Sequence, residues 1–339
     1  MNFREIAKQA GVSITTVSRV YNGKTGVGRS TRLKVENLLK ESLYYGSLAK
    51  KAANSESQPL KIITFVIYES EHYILERNEE FFSKILIGAE KKANESGFLL
   101  NIVRLDYRDL SDLIINSKNV SGLIILAADI SFEQCEILEK SNIPVVVVDN
   151  SIAYSSVNSI SADNTYGTYK AVSYLKELGH REIGLLTSRI PMDGLTKREK
   201  NFYEVIDRLR LNVDPGHIVK LDHIFDTGVA QMDKYLSFNN DLPTAFFAVN
   251  DTIAAEAIHS LKQHGYRIPE DISIIGFDDA NIGNFSEPRI TSMKIDCVKL
   301  GELALKRIIE IQKGDKSILH TYIDTPLIIK ESTAKRNEK

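Results

Sequence analysis

Two sets of side chains in this 339-residue chain have the type and spacing to do chemistry. The first lies between Gly11 and Gly23. With Val17, Val20 and Tyr21 at spacings that bury one helix face, Ile14, Thr15, Thr16, Ser18 and Arg19 are left facing outward. Small and hydroxyl-bearing groups fit between base edges, and a guanidinium can bond guanine through two hydrogens. The second set is scattered along the chain but recurs at one kind of place, the carboxyl end of an apolar β-type run. Asp149 follows Val145-Val146-Val147-Val148, Asn250-Asp251 follow Ala248-Val249, and Asp278-Asp279 follow Ile275-Gly276-Phe277. Asp163-Asn164 open a helix, and Arg198 falls in the first turn of another. Each of these alone reads as an N-cap or a loop carboxylate. Together, on one side of two sheets, carboxylates, amides and one guanidinium suit a sugar, because each hydroxyl both donates and accepts.

The elements that must hold the first set are short helices. Asn2 and Glu5 form a capping box for a helix whose apolar face is Phe3, Ile6, Ala7 and Ala10. Gly11 permits a sharp turn, Ser13 is the N-cap of the second helix, and Gly23 ends it. A third helix runs from Arg29 to Leu43, with Gly28 where an N-cap serine would be usual. The pattern predicts a helix-turn-helix domain over 1–45 and a linker over 46–59. Charge divides the chain accordingly. Residues 1–58 hold ten Lys and Arg against four Asp and Glu, whereas the whole chain is −2, so the near-neutral total conceals a basic head on an acidic body. Such a head displaces counterions from a duplex while the body stays off it.

From Leu60 onward, apolar runs alternate with amphipathic helices. Strands are predicted at 62–67, 99–103, 122–126 and 145–149, and again at 183–186, 218–219, 245–249 and 272–276. Helices are predicted between them, near 81–96, 132–141, 166–178, 197–209, 228–236 and 252–264. The fold class is therefore α/β, with a helix-turn-helix head and two doubly wound parallel-sheet subdomains. Ligands bind such sheets at the carboxyl ends of strands, so a cleft between the two subdomains is the expected site.

The order of Glu5, Ala10-Gly11-Val12-Ser13, Thr16-Val17-Ser18-Arg19-Val20 and Asn22 resembles the start of a LacI/GalR-family transcriptional repressor. The likeness continues through Leu178-Gly179-His180-Arg181-Glu182-Ile183-Gly184, Asn250-Asp251, Ile268 to Asp279, and Pro288-Arg289-Ile290-Thr291-Ser292, so it covers essentially the whole chain. It implies a periplasmic-binding-protein-like effector domain and a homodimer on a pseudo-palindromic operator. It also assigns Ile14 and Thr15 to sequence discrimination, Arg19 to base contact, and Ser13, Thr16, Ser18 and Asn22 to phosphates. By the same resemblance, Arg198, Asn250 and Asp278 contact the effector, joined by Tyr68, Asp149 and Asp163. Three crossings between subdomains are implied, which places 60–162 with 291–323 in the first subdomain and 163–290 with 324–333 in the second. The chain departs from the family pattern at the hinge, where Gly46 and Ser47 replace Pro and Asn and the wedge leucine position holds Ala52. Leu48 is the residue that could enter the minor groove in another register. Asn201 stands where a glycine is usual. Arg198-Glu199 with Phe202, and Glu76-Arg77-Asn78 ahead of Phe81-Phe82, are similar to the galactose and evolved-β-galactosidase repressors, which points to a galactoside effector.

Other classes fit less well. No nucleophile elbow, P-loop, GxGxxG after the first strand or HExxH occurs, so an enzyme is not expected. The two cysteines, Cys135 and Cys297, have neither CxxC spacing nor a nearby histidine cluster, and no cofactor or metal is expected. A sugar-binding transport protein would share the body but would carry an export signal and no basic helix-turn-helix. A catabolite-type regulator controlled by a phosphocarrier protein is the alternative within regulation. The lack of a signal-like apolar segment or a membrane-length run predicts a cytoplasmic location and no membrane partner.

Overall fold

The computed structural model describes residues 3–21, 27–28, 30–32, 34–35, 38, 61–69, 79–117, 120–152, 154–222, 225–239 and 241–336. The chain divides into two compact units, 1–60 and 61–339.

In the first unit, α1 (Phe3–Ala10) and α2 (Ile14–Tyr21) are joined through Gly11, whose φ of +69° is the left-handed value that favours glycine. The Thr16 amide donates to Ser13 Oγ at 3.1 Å, so Ser13 caps α2 as expected. Ile6, Ala7, Ala10, Val17 and Val20 are buried together with Val35 from the helical residues that follow. The expected cap Asn2 and the stop at Gly23 lie outside the described residues.

The second unit contains two six-stranded sheets, each carried by helices. We number its strands β1 (Ile62–Glu69), β2 (Leu99–Asp106), β3 (Gly122–Leu126), β4 (Val145–Val148), β5 (Asn158–Ala162), β6 (Ile183–Ser188), β7 (Ile218–Leu221), β8 (Ala245–Ala248), β9 (Ser273–Asp278), β10 (Thr291–Lys294), β11 (His320–Ile323) and β12 (Leu327–Ile328). The helices are α3 (Glu79–Glu95), α4 (Leu110–Asn116), α5 (Phe132–Glu139), α6 (Asn164–Glu177), α7 (Asp193–Leu209), α8 (Phe225–Phe238), α9 (Asp251–Gln263), α10 (Asn281–Phe285) and α11 (Cys297–Gln312). The first sheet has the order β11-β5-β4-β3-β1-β2 and is wholly parallel. The second has the order β12-β10-β9-β8-β6-β7, with only β12 antiparallel to its neighbour. Strands such as β3 and β4 are buried at every position, which explains their unbroken apolar runs.

One expectation changes. The resemblance places Thr291–Lys294 with the first subdomain, yet β10 pairs in parallel with β9, Thr291 opposite Ile275, in the second sheet. The chain returns to the first lobe only after Lys294. Thr291 and Met293 are fully buried there, and Thr291 also accepts from the Lys330 amide and receives support from Ser332. That burial requires the strand to stay with the second sheet.

The return element α11 packs against α3 without intervening side chains. A Cβ on Gly88 would stand 1.9 Å from the Val298 carbonyl oxygen, and one on Gly301 would stand 1.9 Å from the Ile85 carbonyl oxygen. Both glycines are therefore required by backbone-to-backbone contact. This seam fixes the start of α3, which carries Phe81 and Phe82, against the crossover that begins at Cys297.

Candidate functional site

Residues of both lobes converge on one half-open space. Asp149, Ala128, Phe81 and Phe82 from the first lobe face Arg198, Asn250, Asp278, Met192, Gly194 and Leu195 from the second, around a cavity of about 40 Å³. A wider crevice of about 440 Å³ adjoins it at Asp278 and runs between the start of α3 and residues 294–298.

Arg198 is the centre of this arrangement. It lies in the second turn of α7 and is 4% exposed, since α7 starts four residues earlier than its apolar pattern suggests. Its Nε donates to Asn164 Oδ1 at 2.8 Å, and its Nη1 donates to the Val249 carbonyl at 2.7 Å and to Asp278 Oδ1 at 2.9 Å. The guanidinium carbon stands 3.8 Å from the centre of the Phe277 ring. These partners come from α6, the end of β8 and the end of β9, so the side chain is held in one orientation before any ligand arrives.

The carboxylates beside it are held by unusual backbone. Asp149, Asp278 and Asp279 have φ values of +68°, +103° and +55°. Left-handed conformations at side-chain-bearing residues cost energy and collect at ligand sites. Here they send the Asp278 carboxylate to Arg198, while Asp279 pairs with Lys330 at 2.6 Å. Burial pushes the Asp149 carboxyl up to about 8 against the pull of Arg198, with Asp278 and Asp193 adding to the rise. Burial also raises Asp278, although Arg198 opposes it both by charge and by its hydrogen bond. Asn250 lines the cavity and also caps α9, accepting from the Ile253 amide at 2.9 Å.

Four of the six expected effector residues are thus brought together: Asp149, Arg198, Asn250 and Asp278. Two are not. Asp163 caps α6 by accepting from the Tyr166 amide at 2.9 Å and does not line the cavity. Its buried neighbour Asn164 reaches the site only through Arg198, whose Nε it accepts from. Tyr68 is buried on the opposite face of the first sheet, with Val66, Leu105 and Cys135, because adjacent strand residues point to opposite sides. Burial there, with the charge of Asp129, raises its hydroxyl far above the usual range.

Sequence reasoning missed Asn164 as a ligand of Arg198, the wall formed by Phe81 and Phe82, and above all Asp193. The Asp193 amide donates to the Ala128 carbonyl at 2.8 Å, and its carboxylate accepts from the Ser151 amide at 3.2 Å and from Lys197 at 2.8 Å. A second tie between lobes runs from the Asn281 amide to Glu80 Oε2 at 3.1 Å. The i, i+4 pair Asp193/Lys197 one turn before Arg198 was the available signal. Asn201, standing at the usual glycine position, donates to Thr165 Oγ1 at 3.1 Å and so fills the gap with a hydrogen bond to α6.

In the head, Ser13 and Arg19 are exposed, and Ser13 Oγ lies 2.9 Å from Thr16 Oγ1. Ile14, Thr15 and Ser18 belong to α2, but their side chains, like Asn22 and Leu48, lie outside the described residues. Among the described residues, no helix is long and apolar enough to cross a membrane and no side-chain group could hold a metal ion.

Comparison with known proteins agrees with this division. Residues 2–47 match the profile of bacterial regulatory proteins of the lacI family, and residues 172–333 match that of the periplasmic binding protein-like domain. The chain is 29% identical over 338 residues to the HTH-type transcriptional repressor CytR of Escherichia coli strain K12, covering 97% of this chain and 95% of that protein. Among solved structures, the lac repressor dimer bound to operator and the anti-inducer ONPF superposes with a TM-score of 0.72 at 24% identity, covering 98% of this chain and 99% of that one. The transcriptional regulator CelR in complex with cellobiose gives a TM-score of 0.70 at 23% identity, covering 98% and 99%. A lacI-family segment at residues 2–47, joined to a body of the periplasmic binding protein-like kind whose two parallel-sheet lobes meet at a polar cleft, makes this chain similar along nearly its whole length to DNA-binding transcriptional repressors.

Proposed function

We propose that this repressor works as a homodimer on a pseudo-palindromic operator and that a sugar bound between the lobes of its second unit sets operator affinity. The observation that carries the reading is the convergence of Asp149, Asn250 and Asp278 on Arg198, a guanidinium that the fold itself holds in place. Hydroxyls find both donors and acceptors there, and the flanking Phe81 and Phe82 offer apolar surface for the carbon faces of a ring. The cellobiose complex of a similarly folded regulator and the operator-bound dimer of another are in keeping with it.

In this reading Ile14, Thr15 and Arg19 meet bases, and Ser13, Thr16, Ser18 and Asn22 meet phosphates. Two-fold symmetry of the dimer then matches two half-sites. Leu48 is the proposed minor-groove wedge. The pairs Arg198-Glu199 and Phe81-Phe82 favour a galactoside as the effector. Asp163 and Tyr68 take no part in sugar binding, and Asn164 acts by orienting Arg198.

Selection of bound sequences from random duplex DNA by the full-length chain, followed by titration of the selected operator with sugars, tests the proposal. The expected result is a two-fold-related site whose occupancy shifts with one sugar and saturates. An asymmetric single site, or occupancy insensitive to every sugar, would refute it.

A further inference from the structure

We infer that the cleft takes an uncharged polyol and turns away its phosphorylated or carboxylated analogues, because its one buried guanidinium is already engaged by the protein and the groups around it are mainly acidic. This inference rests on the sugar-binding reading above.

An anion entering a desolvated site needs a cation with free donors, ideally a guanidinium fork offering two parallel N–H groups. Arg198 does not offer that fork. Nε is used by Asn164 and Nη1 by Val249 and Asp278, so among the described residues only Nη2 has no acceptor. Gly194 leaves that nitrogen open, since even a Cβ there would remain 3.6 Å away. A single nitrogen can serve one hydroxyl oxygen, and its charge is already balanced by Asp278 at 2.9 Å.

The remaining charges point the same way. Lys197 is tied to Asp193 at 2.8 Å, just outside the cavity. In the adjoining crevice Lys84 is tied to Glu80 and Asp279 to Lys330, while Glu79 and Asp296 add further carboxylates. Lys294 is the one cation in the described lining with no carboxylate partner, and it stands in the crevice rather than beside Arg198. Asp149 faces the cavity from the first lobe with no cation of its own. Burial disfavours negative charge at this point, and a phosphate or carboxylate would meet the same penalty.

Calorimetric titration of the full-length protein tests this with matched pairs: galactose and galactose 6-phosphate, glucose and glucose 6-phosphate, ribose and ribose 5-phosphate, and galactose and galacturonate. The expected result is that whichever neutral sugar binds does so at least tenfold tighter than its charged partner. A charged partner that binds as tightly as its neutral form, or more tightly, overturns the inference and leaves the sugar-sensing reading intact. Heat from no member of either class removes the sugar reading and this inference with it.

Discussion

Replacing Asp149 with asparagine should stabilise the protein, and only above acid pH. Asparagine tolerates the left-handed φ of +68° as well as aspartate does, so the backbone is not strained and the ionisable proton is the variable. Burial beside Asp278 and Asp193 pushes the carboxyl up to about 8 in spite of Arg198. A folded-state value above the unfolded one means that the folded chain binds the proton more tightly. Below about pH 4 the group is protonated in both states and costs nothing; stability then declines as pH rises and levels off above about pH 8. At about 1.4 kcal/mol per pH unit the whole interval would correspond to roughly 5–6 kcal/mol. The side chain keeps some access to water at the cleft, which screens its charge and reduces the expected penalty to about 1–3 kcal/mol. For a domain of this size each kcal/mol moves Tm by about 2–4 °C, so Asp149→Asn should melt roughly 3–10 °C higher at alkaline pH and level with the parent under acid conditions. Calorimetric melting of both proteins across that pH range, without ligand, gives the comparison. A gap that does not change with pH, or a parent that is the more stable one in alkali, would mean that Asp149 is ionised and held by Arg198, and the reasoning would be wrong.

Three further outcomes are expected. Arg19→Ala should cost about 1–3 kcal/mol at one operator position and relax base preference there, read by binding to a set of single-substituted operators; an unchanged preference profile removes the base contact. Gly301→Ala drives a Cβ into the Ile85 carbonyl, which has no rotamer to yield, and should lower stability by about 1–3 kcal/mol or more in urea unfolding. Asp163→Ala should cost about 1 kcal/mol through loss of the α6 cap and leave sugar response unaltered, so a weakened response in titration would return Asp163 to the binding site.

The parts legible in the sequence were those with short-range signatures. The Gly11 turn, the Ser13 cap and the unbroken apolar strands β3 and β4 follow from local sterics and hydropathy. The strand-end positions of Asp149, Asn250 and Asp278 followed from the same pattern. β5 was not legible because its residues, Asn158-Ser159-Ile160-Ser161-Ala162, are polar yet buried. They are satisfied from far along the chain, as Asn158 Oδ1 accepts from Arg307 Nε at 2.8 Å and from the Leu319 amide at 3.0 Å. Tyr68 was misplaced by one step of strand parity, since Ile67 and Tyr68 belong to different faces. Asp193 was missed because its partners Ala128 and Ser151 lie in the other lobe, and a tie of that kind leaves no periodic trace. The contact between α3 and α11 is equally silent: nothing near Gly88 or Gly301 in the sequence reveals that each touches the other helix's backbone.

The interleaved sheets also dictate an order of assembly during synthesis. Strands β6 to β10 lie within one uninterrupted stretch, Ile183 to Lys294, so the second lobe has all but its two-residue edge strand as soon as that stretch has left the ribosome. The first lobe begins much earlier, at Ile62, yet its edge strand β11 and the helix α11 that covers α3 are translated only after that stretch. Its apolar α3 surface and the open side of β5 must therefore wait through the synthesis of an entire neighbouring lobe, the situation in which nascent chains are most exposed to misassociation. A premature stop codon just ahead of His320 would thus disable the lobe that starts at the beginning of the second unit.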